Sequence, residues 1–120
     1  MNRVVKLAIV GSRTFTDYDK IKETVLKLFD QEVLAEIVSG GATGADSLAE
    51  QLADELGLSL TVFPAEWQRY GRSAGPVRNR KIVKHADFVL AFAAATSRGT
   101  ANTVSICKKM GKPYLIIPID

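Results

Sequence analysis

The chain has 120 residues, 47% hydrophobic and 24% charged, with a formal net charge of +3. That length suits one domain over residues 1–120, since two halves would each fall near the lower size limit for independent folding. One cysteine, Cys107, excludes an internal disulfide framework and a Cys-rich zinc site, and one histidine, His85, argues against a His-based metal cage or a multi-histidine catalytic set.

Val4 to Val10 is a short, branched, apolar run that predicts a buried strand closed by Gly11. Asp17 to Asp30 carries Tyr18, Ile21, Val25, Leu28 and Phe29 at helical spacing. Leu34 to Ser39 predicts a second strand, followed at once by Gly40 and Gly41. Leu48, Ala49, Leu52, Ala53 and Leu56 mark one face of a helix that Gly57 stops. Leu58 to Phe63 predicts a third strand ended by Pro64, and residues 65–75 a polar and aromatic loop. Pro76 suits the first turn of a helix running to about His85. Asp87 to Phe92 predicts a fourth strand. A small-residue loop then leads to Gly99 and a helix ending at Met110, with Lys108 and Lys109 complementing its dipole. Tyr114 to Ile119 predicts the last strand. Strands that read as apolar runs and alternate with helices predict an α/β fold, a five-stranded mainly parallel sheet with helices on both faces. Ligands of such sheets bind at the carboxyl ends of the strands, where the strand order reverses.

No apolar stretch reaches the roughly 18 residues of a membrane span, and Met1-Asn2-Arg3 leads into no cleavable signal. A cytoplasmic protein is expected. The charge is uneven. Residues 69–84 hold Arg69, Arg72, Arg78, Arg80, Lys81 and Lys84 and no acid, while the remainder is mildly acidic. A segment of this kind attracts phosphates or a nucleic-acid backbone; it also reads as a solvated helix face.

Four loops follow strands and carry candidate chemistry. In Gly11-Ser12-Arg13, glycine permits a tight turn, the serine hydroxyl can donate to a phosphate, and the arginine supplies a cation. Ser39-Gly40-Gly41-Ala42-Thr43-Gly44-Ala45-Asp46 presents little side-chain bulk, so its backbone N–H groups are free to hold an anion at a helix start. It matches neither the P-loop nor the dinucleotide fingerprint. Asp46 reads as a helix cap or as a partner of a ribose hydroxyl. The third loop offers Trp67 and Tyr70 for base stacking or as core lids. Beyond it, Arg80, Lys81 and Lys84 share one helix face, with Arg78 on another, where it reads as a contact for a different partner or a subunit. In the fourth, Thr96-Ser97-Arg98-Gly99-Thr100-Ala101-Asn102, Gly99 and Thr100 form a second possible phosphate nest, or Thr100 caps the helix. His85 reads as a helix C-terminal cation and Cys107 as a core residue.

GSRTF, GGATGADSLAEQLA, PAEWQRYGRSAGPVRNRKIV and GTAN together resemble the YspA/YpsA-related branch of the SLOG superfamily over nearly the whole chain. The resemblance implies a Rossmann-like three-layer sandwich that binds a nucleotide or nucleotide-derived ligand. By motif position it implies ligand contacts at Gly11, Ser12, Arg13, Gly40, Gly41, Gly44, Asp46, Arg78, Asn79, Arg80, Gly99 and Thr100, to which the loop reading adds Thr43 and Trp67. The Gly-rich turns and Arg80 are expected to take phosphates. Relatives of the LOG type hydrolyse the base–ribose bond of nucleoside monophosphates. Arg80-Lys81 is similar to their basic pair, but Asn102 and Thr103 stand where they carry glutamates. A hydrolase would therefore have to draw on Glu66 or Asp46 beside Arg80. The DNA-processing protein DprA shares the superfamily fold, which adds nucleic-acid binding as a further alternative. No cofactor or metal is expected, and the expected partners are a nucleotide-derived small molecule and a second copy of the chain in a homodimer or higher homo-oligomer.

Overall fold

A computed structural model describes residues 4–94 and 97–119. The leader reading at Met1-Asn2-Arg3, and Ala95 and Thr96 of the fourth loop, lie outside the described residues. The strands are β1 (Val5–Gly11), β2 (Leu34–Ser39), β3 (Ser59–Val62), β4 (Phe88–Phe92) and β5 (Tyr114–Ile117). Between them run α1 (Tyr18–Leu28), α2 (Ala45–Leu56), α3 (Trp67–Tyr70), α4 (Ala74–His85) and α5 (Arg98–Met110). The strands form one sheet in the order β3-β2-β1-β4-β5, and every pairing is parallel.

Why β1 reads as a continuous apolar run is visible in its packing. It is the central strand, and successive side chains point to opposite faces. Leu7 and Ile9 join Ile21 and Val25 of α1 and Leu52 of α2 on one side. Ala8 and Val10 join Ile82 and Val83 of α4 and Ile106 and Cys107 of α5 on the other. Both faces are buried, so no polar alternation appears. Cys107 is fully enclosed, as its position in the sequence implied.

Local signals set the ends of the helices. The Asp17 side chain accepts from the Lys20 N–H and starts α1. At α5 the cap is Ser97, whose hydroxyl accepts from the Thr100 N–H, so Thr100 is not the cap. His85 ends α4. Its Nε2 lies 2.5 Å from Glu36 Oε2 on β2.

Several boundaries differ from the sequence reading, three of them at the ends of the sheet or next to the site. Residues 65–75 are not a plain loop; they contain α3 and a 3₁₀ turn over Gly71–Ser73. β1 extends to Gly11, which pairs with Phe92. β5 stops at Ile117 rather than Ile119, and the last bond across to β4's end is the Ile117 carbonyl accepting from the Ala93 N–H at 3.3 Å. Among the described residues, no helix is long and apolar enough to cross a membrane.

Candidate functional site

The chain passes from β1 to β2 and β3 on one side and reaches β4 and β5 on the other, so the strand order reverses between β1 and β4. Loops leaving adjacent strands in opposite directions open a crevice at their carboxyl ends. A pocket of about 400 Å³ lies there, lined from β1 by Gly11, Ser12, Arg13 and Thr14, and from α4 by Arg78 and Asn79. Asp46, Ser97, Gly99, Thr100 and Thr103 complete its polar wall, over an apolar floor that includes Val10 and Ile82.

Close backbone approach shapes this pocket. A Cβ on Gly11 would lie 2.0 Å from the Phe92 carbonyl oxygen, so only glycine fits where β1 and β4 part. The Ser12 N–H donates to that same oxygen at 2.9 Å. The Ser12 carbonyl accepts from the Ala45 N–H at 3.0 Å, and this seats the β1 loop on the start of α2. Gly44 permits the seating. Its φ is +74°, and a Cβ there would meet the Ser12 oxygen at 2.2 Å. Within the β1 loop, the Thr14 N–H donates to Ser12 Oγ at 3.2 Å, and the two hydroxyls are 3.0 Å apart.

Asp46 and Arg78 meet around Gly40. A Cβ on Gly40 would lie 2.5 Å from Arg78 Nη1 and 2.8 Å from Asp46 Oδ2. Arg78 donates through Nη1 to the Gly40 carbonyl at 2.8 Å and through Nε to Asn79 Oδ1 at 2.9 Å. Two of its five N–H donors are thus committed, and three remain among the described contacts. Burial pulls the guanidinium below its usual pKa; the Asp46 charge opposes this, and the neighbouring Arg13 charge adds to it. Asp46 is 5% exposed and accepts from the Ala42 N–H at 3.2 Å. Burial raises its carboxyl above the usual 3.8, against the Ala42 hydrogen bond and the Arg78 charge. Two guanidiniums facing one pocket with a single, desolvated carboxylate leave an environment that favours an anion.

The profile of the YspA, cpYpsA-related SLOG family matches residues 5–70, more than half the chain. The Gene 61 protein of Mycobacterium phage D29 is 31% identical over 117 residues, covering 92% of this chain and 94% of that protein. The chain belongs to the YspA, cpYpsA-related SLOG family. Two solved structures of DNA processing protein A share the SLOG fold. The Streptococcus pneumoniae protein superposes with a TM-score of 0.73 at 24% identity over 98% of this chain. The Helicobacter pylori protein, described for its single-stranded DNA binding mode, gives 0.65 at 21% over 97%. This chain spans 51% and 66% of the length of those two proteins.

In this SLOG chain the residues singled out from sequence separate into three groups. Gly11, Ser12, Arg13, Asp46, Arg78, Asn79, Gly99 and Thr100 line the switch-point pocket. Gly40, Thr43 and Gly44 shape it from behind, Thr43 by donating from Oγ1 to the Arg13 carbonyl at 3.4 Å. Gly41, Glu66, Trp67 and Arg80 lie outside its lining. Gly41 instead faces Val62 of β3. Glu66 is paired with Lys81 at 3.2 Å, which leaves Asp46 as the carboxylate lining the pocket. Trp67 is 55% exposed, so it is not a core lid.

The structure separates the two arginines. Arg78 enters the pocket, one turn before the buried Ile82, whereas Arg80 lines a separate cleft between α4 and α5. Lys81 turns to Glu66 and the Tyr70 ring, so it does not share a face with Arg80. Adjacent helix positions lie about 100° apart, which is enough to divide them. Thr14, Ser97 and Thr103 line the pocket without having been singled out. The Ser-x-Thr spacing of Ser12 and Thr14 was the available signal.

Asp46 yields a signed prediction. Its native pKa is raised, so the folded state holds this proton more tightly than the unfolded chain does. The stability this group contributes is fully present below its ordinary 3.8 and is lost as pH rises through the native value. Asp46→Asn removes that dependence. In denaturant titrations, the stability of D46N relative to wild type is expected to rise with pH from below 3.8 and then level off. A relative stability that is flat across the range contradicts the assignment.

Proposed function

We propose that the SLOG domain binds single-stranded nucleic acid, with a phosphate-bearing nucleotide unit seated in the switch-point pocket. The observation that carries this reading is the convergence of Arg13 and Arg78 with the hydroxyls of Ser12, Thr14, Ser97 and Thr100 on one crevice. Guanidinium forks and hydroxyl donors suit phosphate oxygens. The same carboxyl edge continues into α3, where Trp67 is exposed and Arg69 lies over the Tyr70 ring, 5.1 Å from its centroid. Exposed aromatics among cations are the stacking platforms that single-strand binders use. A fold shared with a protein described for single-stranded DNA binding supports the same direction.

A free nucleotide-derived ligand is the second reading, favoured by the pocket volume of about 400 Å³, which falls within the range of small-molecule sites. For a free nucleotide, Asp46 is the acceptor for a sugar hydroxyl. N-glycosidic hydrolysis would rest on Asp46 alone among the pocket residues. A cytoplasmic location and a homodimer accompany the proposal.

Fluorescence anisotropy with a short oligodeoxythymidylate tests the main reading. Binding should weaken with salt, with a slope of about −0.7 in log K against log [salt] per phosphate contact. Arg13→Ala should cost about 1.5–3 kcal/mol of binding, roughly ten- to a hundredfold, with the fold unchanged because Arg13 is exposed. Saturable binding of a mononucleotide with no retention of the oligonucleotide supports the second reading instead. Wild-type affinity in R13A refutes both.

A further inference from the structure

Arg80 and Lys109 line a cleft of about 430 Å³ between α4 and α5, together with Asn102, Ser105 and Met110, over the buried Ile106. Two cations and two neutral polar groups line it, and no carboxylate does. Lys81 and Arg69, from the same basic segment, have Glu66 as counter-ion; no such pairing holds Arg80 or Lys109 among the described residues. The cleft adjoins the switch-point pocket. Asn79 lines the pocket and Asn102 lines the cleft, and Asn79 Nδ2 donates to Asn102 Oδ1 at 2.9 Å. Thr103 and Asn102, consecutive on α5, likewise face one cavity each. A chain of phosphates leaving the pocket over this amide bridge meets a second pair of cations.

We infer that the α4–α5 cleft is a second phosphate subsite, in which Arg80 and Lys109 hold the backbone of a nucleic-acid strand whose neighbouring nucleotide occupies the switch-point pocket. The inference rests on the single-strand reading above and extends it to a defined path across the surface. Arg80 supplies the planar fork and Lys109 a point charge, both exposed and therefore available without rearrangement. Ser105 adds a hydroxyl donor one turn before Lys109. A subsite of this kind adds affinity only for ligands long enough to reach it.

The test compares wild type, the double variant Arg80→Gln/Lys109→Gln, and Arg13→Ala. Each is titrated with an oligodeoxythymidylate and with a mononucleotide at several salt concentrations. Thermal melts confirm that the variants fold. The double variant is expected to bind the oligonucleotide at least tenfold more weakly, with a salt slope shallower by about 0.7 for the lost phosphate contact. Its mononucleotide affinity should equal that of wild type, while Arg13→Ala weakens both ligands. Wild-type oligonucleotide affinity and slope in the double variant, with Arg13→Ala still impaired, overturn the subsite and leave the pocket reading standing. Loss in the double variant with none in Arg13→Ala removes the pocket reading instead and leaves the cleft as the phosphate site. Absence of oligonucleotide binding by wild type overturns both.

Discussion

Gly44→Ala should destabilise the protein by about 2–6 kcal/mol and abolish ligand binding together. Two independent costs meet at this position. With φ of +74° and ψ of −130°, its backbone occupies a region that non-glycine residues enter only at about 1–3 kcal/mol. The new Cβ would also lie 2.2 Å from the Ser12 oxygen and 2.4 Å from the Arg13 carbonyl carbon. Both are backbone atoms, so no side-chain rotation relieves the clash, and overpacking of this kind costs about another 1–3 kcal/mol. Relief requires the Ser12–Arg13 segment to lift from α2, breaking the Ala45 N–H to Ser12 hydrogen bond and displacing the Arg13 guanidinium. The total is a large share of the roughly 5–15 kcal/mol typical of a domain. Urea titration measures it as a lower midpoint at unchanged slope. A variant within about 0.5 kcal/mol of wild type would show that the contact between the β1 loop and α2 is not fixed as described.

Arg78→Met carries the second large effect, and here stability and binding can be separated. Removing the guanidinium leaves the Gly40 carbonyl, on a buried residue, without its 2.8 Å donor and deprives Asp46 of the charge that opposes its desolvation. A buried acceptor left unpaired costs about 1–3 kcal/mol. Binding loses a charge-assisted fork, for an expected drop of at least ten- to a hundredfold. Arg78→Lys keeps the charge but cannot reach the Gly40 carbonyl and Asn79 with two donors of a rigid fork. It should recover part of the stability and little of the affinity. Equal affinity in R78K and wild type would show that charge alone, without the fork, serves the pocket.

The two faces of the sheet were legible because a central parallel strand leaves a simple trace. Leu7-Ala8-Ile9-Val10 admits no polar residue when both sides are packed. Caps and glycine stops marked several helix ends for equally local reasons. α3 was not legible: four residues ending before Gly71 carry too little periodicity, and Trp67 resembles a core residue while being exposed. The same limit applied to α4. Ile82 and Val83 are both buried, and adjacent apolar positions leave the phase of the helix open by about 100°. Whether Arg78 or Arg80 entered the crevice depended on that phase. Arg78 is four residues before Ile82 and shares its face, so it lines the pocket, while Arg80 turns toward α5. Asp46 was legible as a residue of the site but not in its environment. The Arg78 charge that opposes its desolvation is held by a hydrogen bond to the Gly40 carbonyl, a contact made across 38 positions of sequence.

Amide chemical-shift mapping of isotope-labelled protein during titration with a short oligodeoxythymidylate tests the central claim most directly. Binding at the switch point predicts that the largest perturbations fall on Gly11 to Thr14, Ala42 to Asp46, and Ser97 to Thr100, and that they are lost in Arg13→Ala. Perturbations confined to the opposite, amino-terminal edge of the sheet, or to the outer face of α1 and β5, would contradict it.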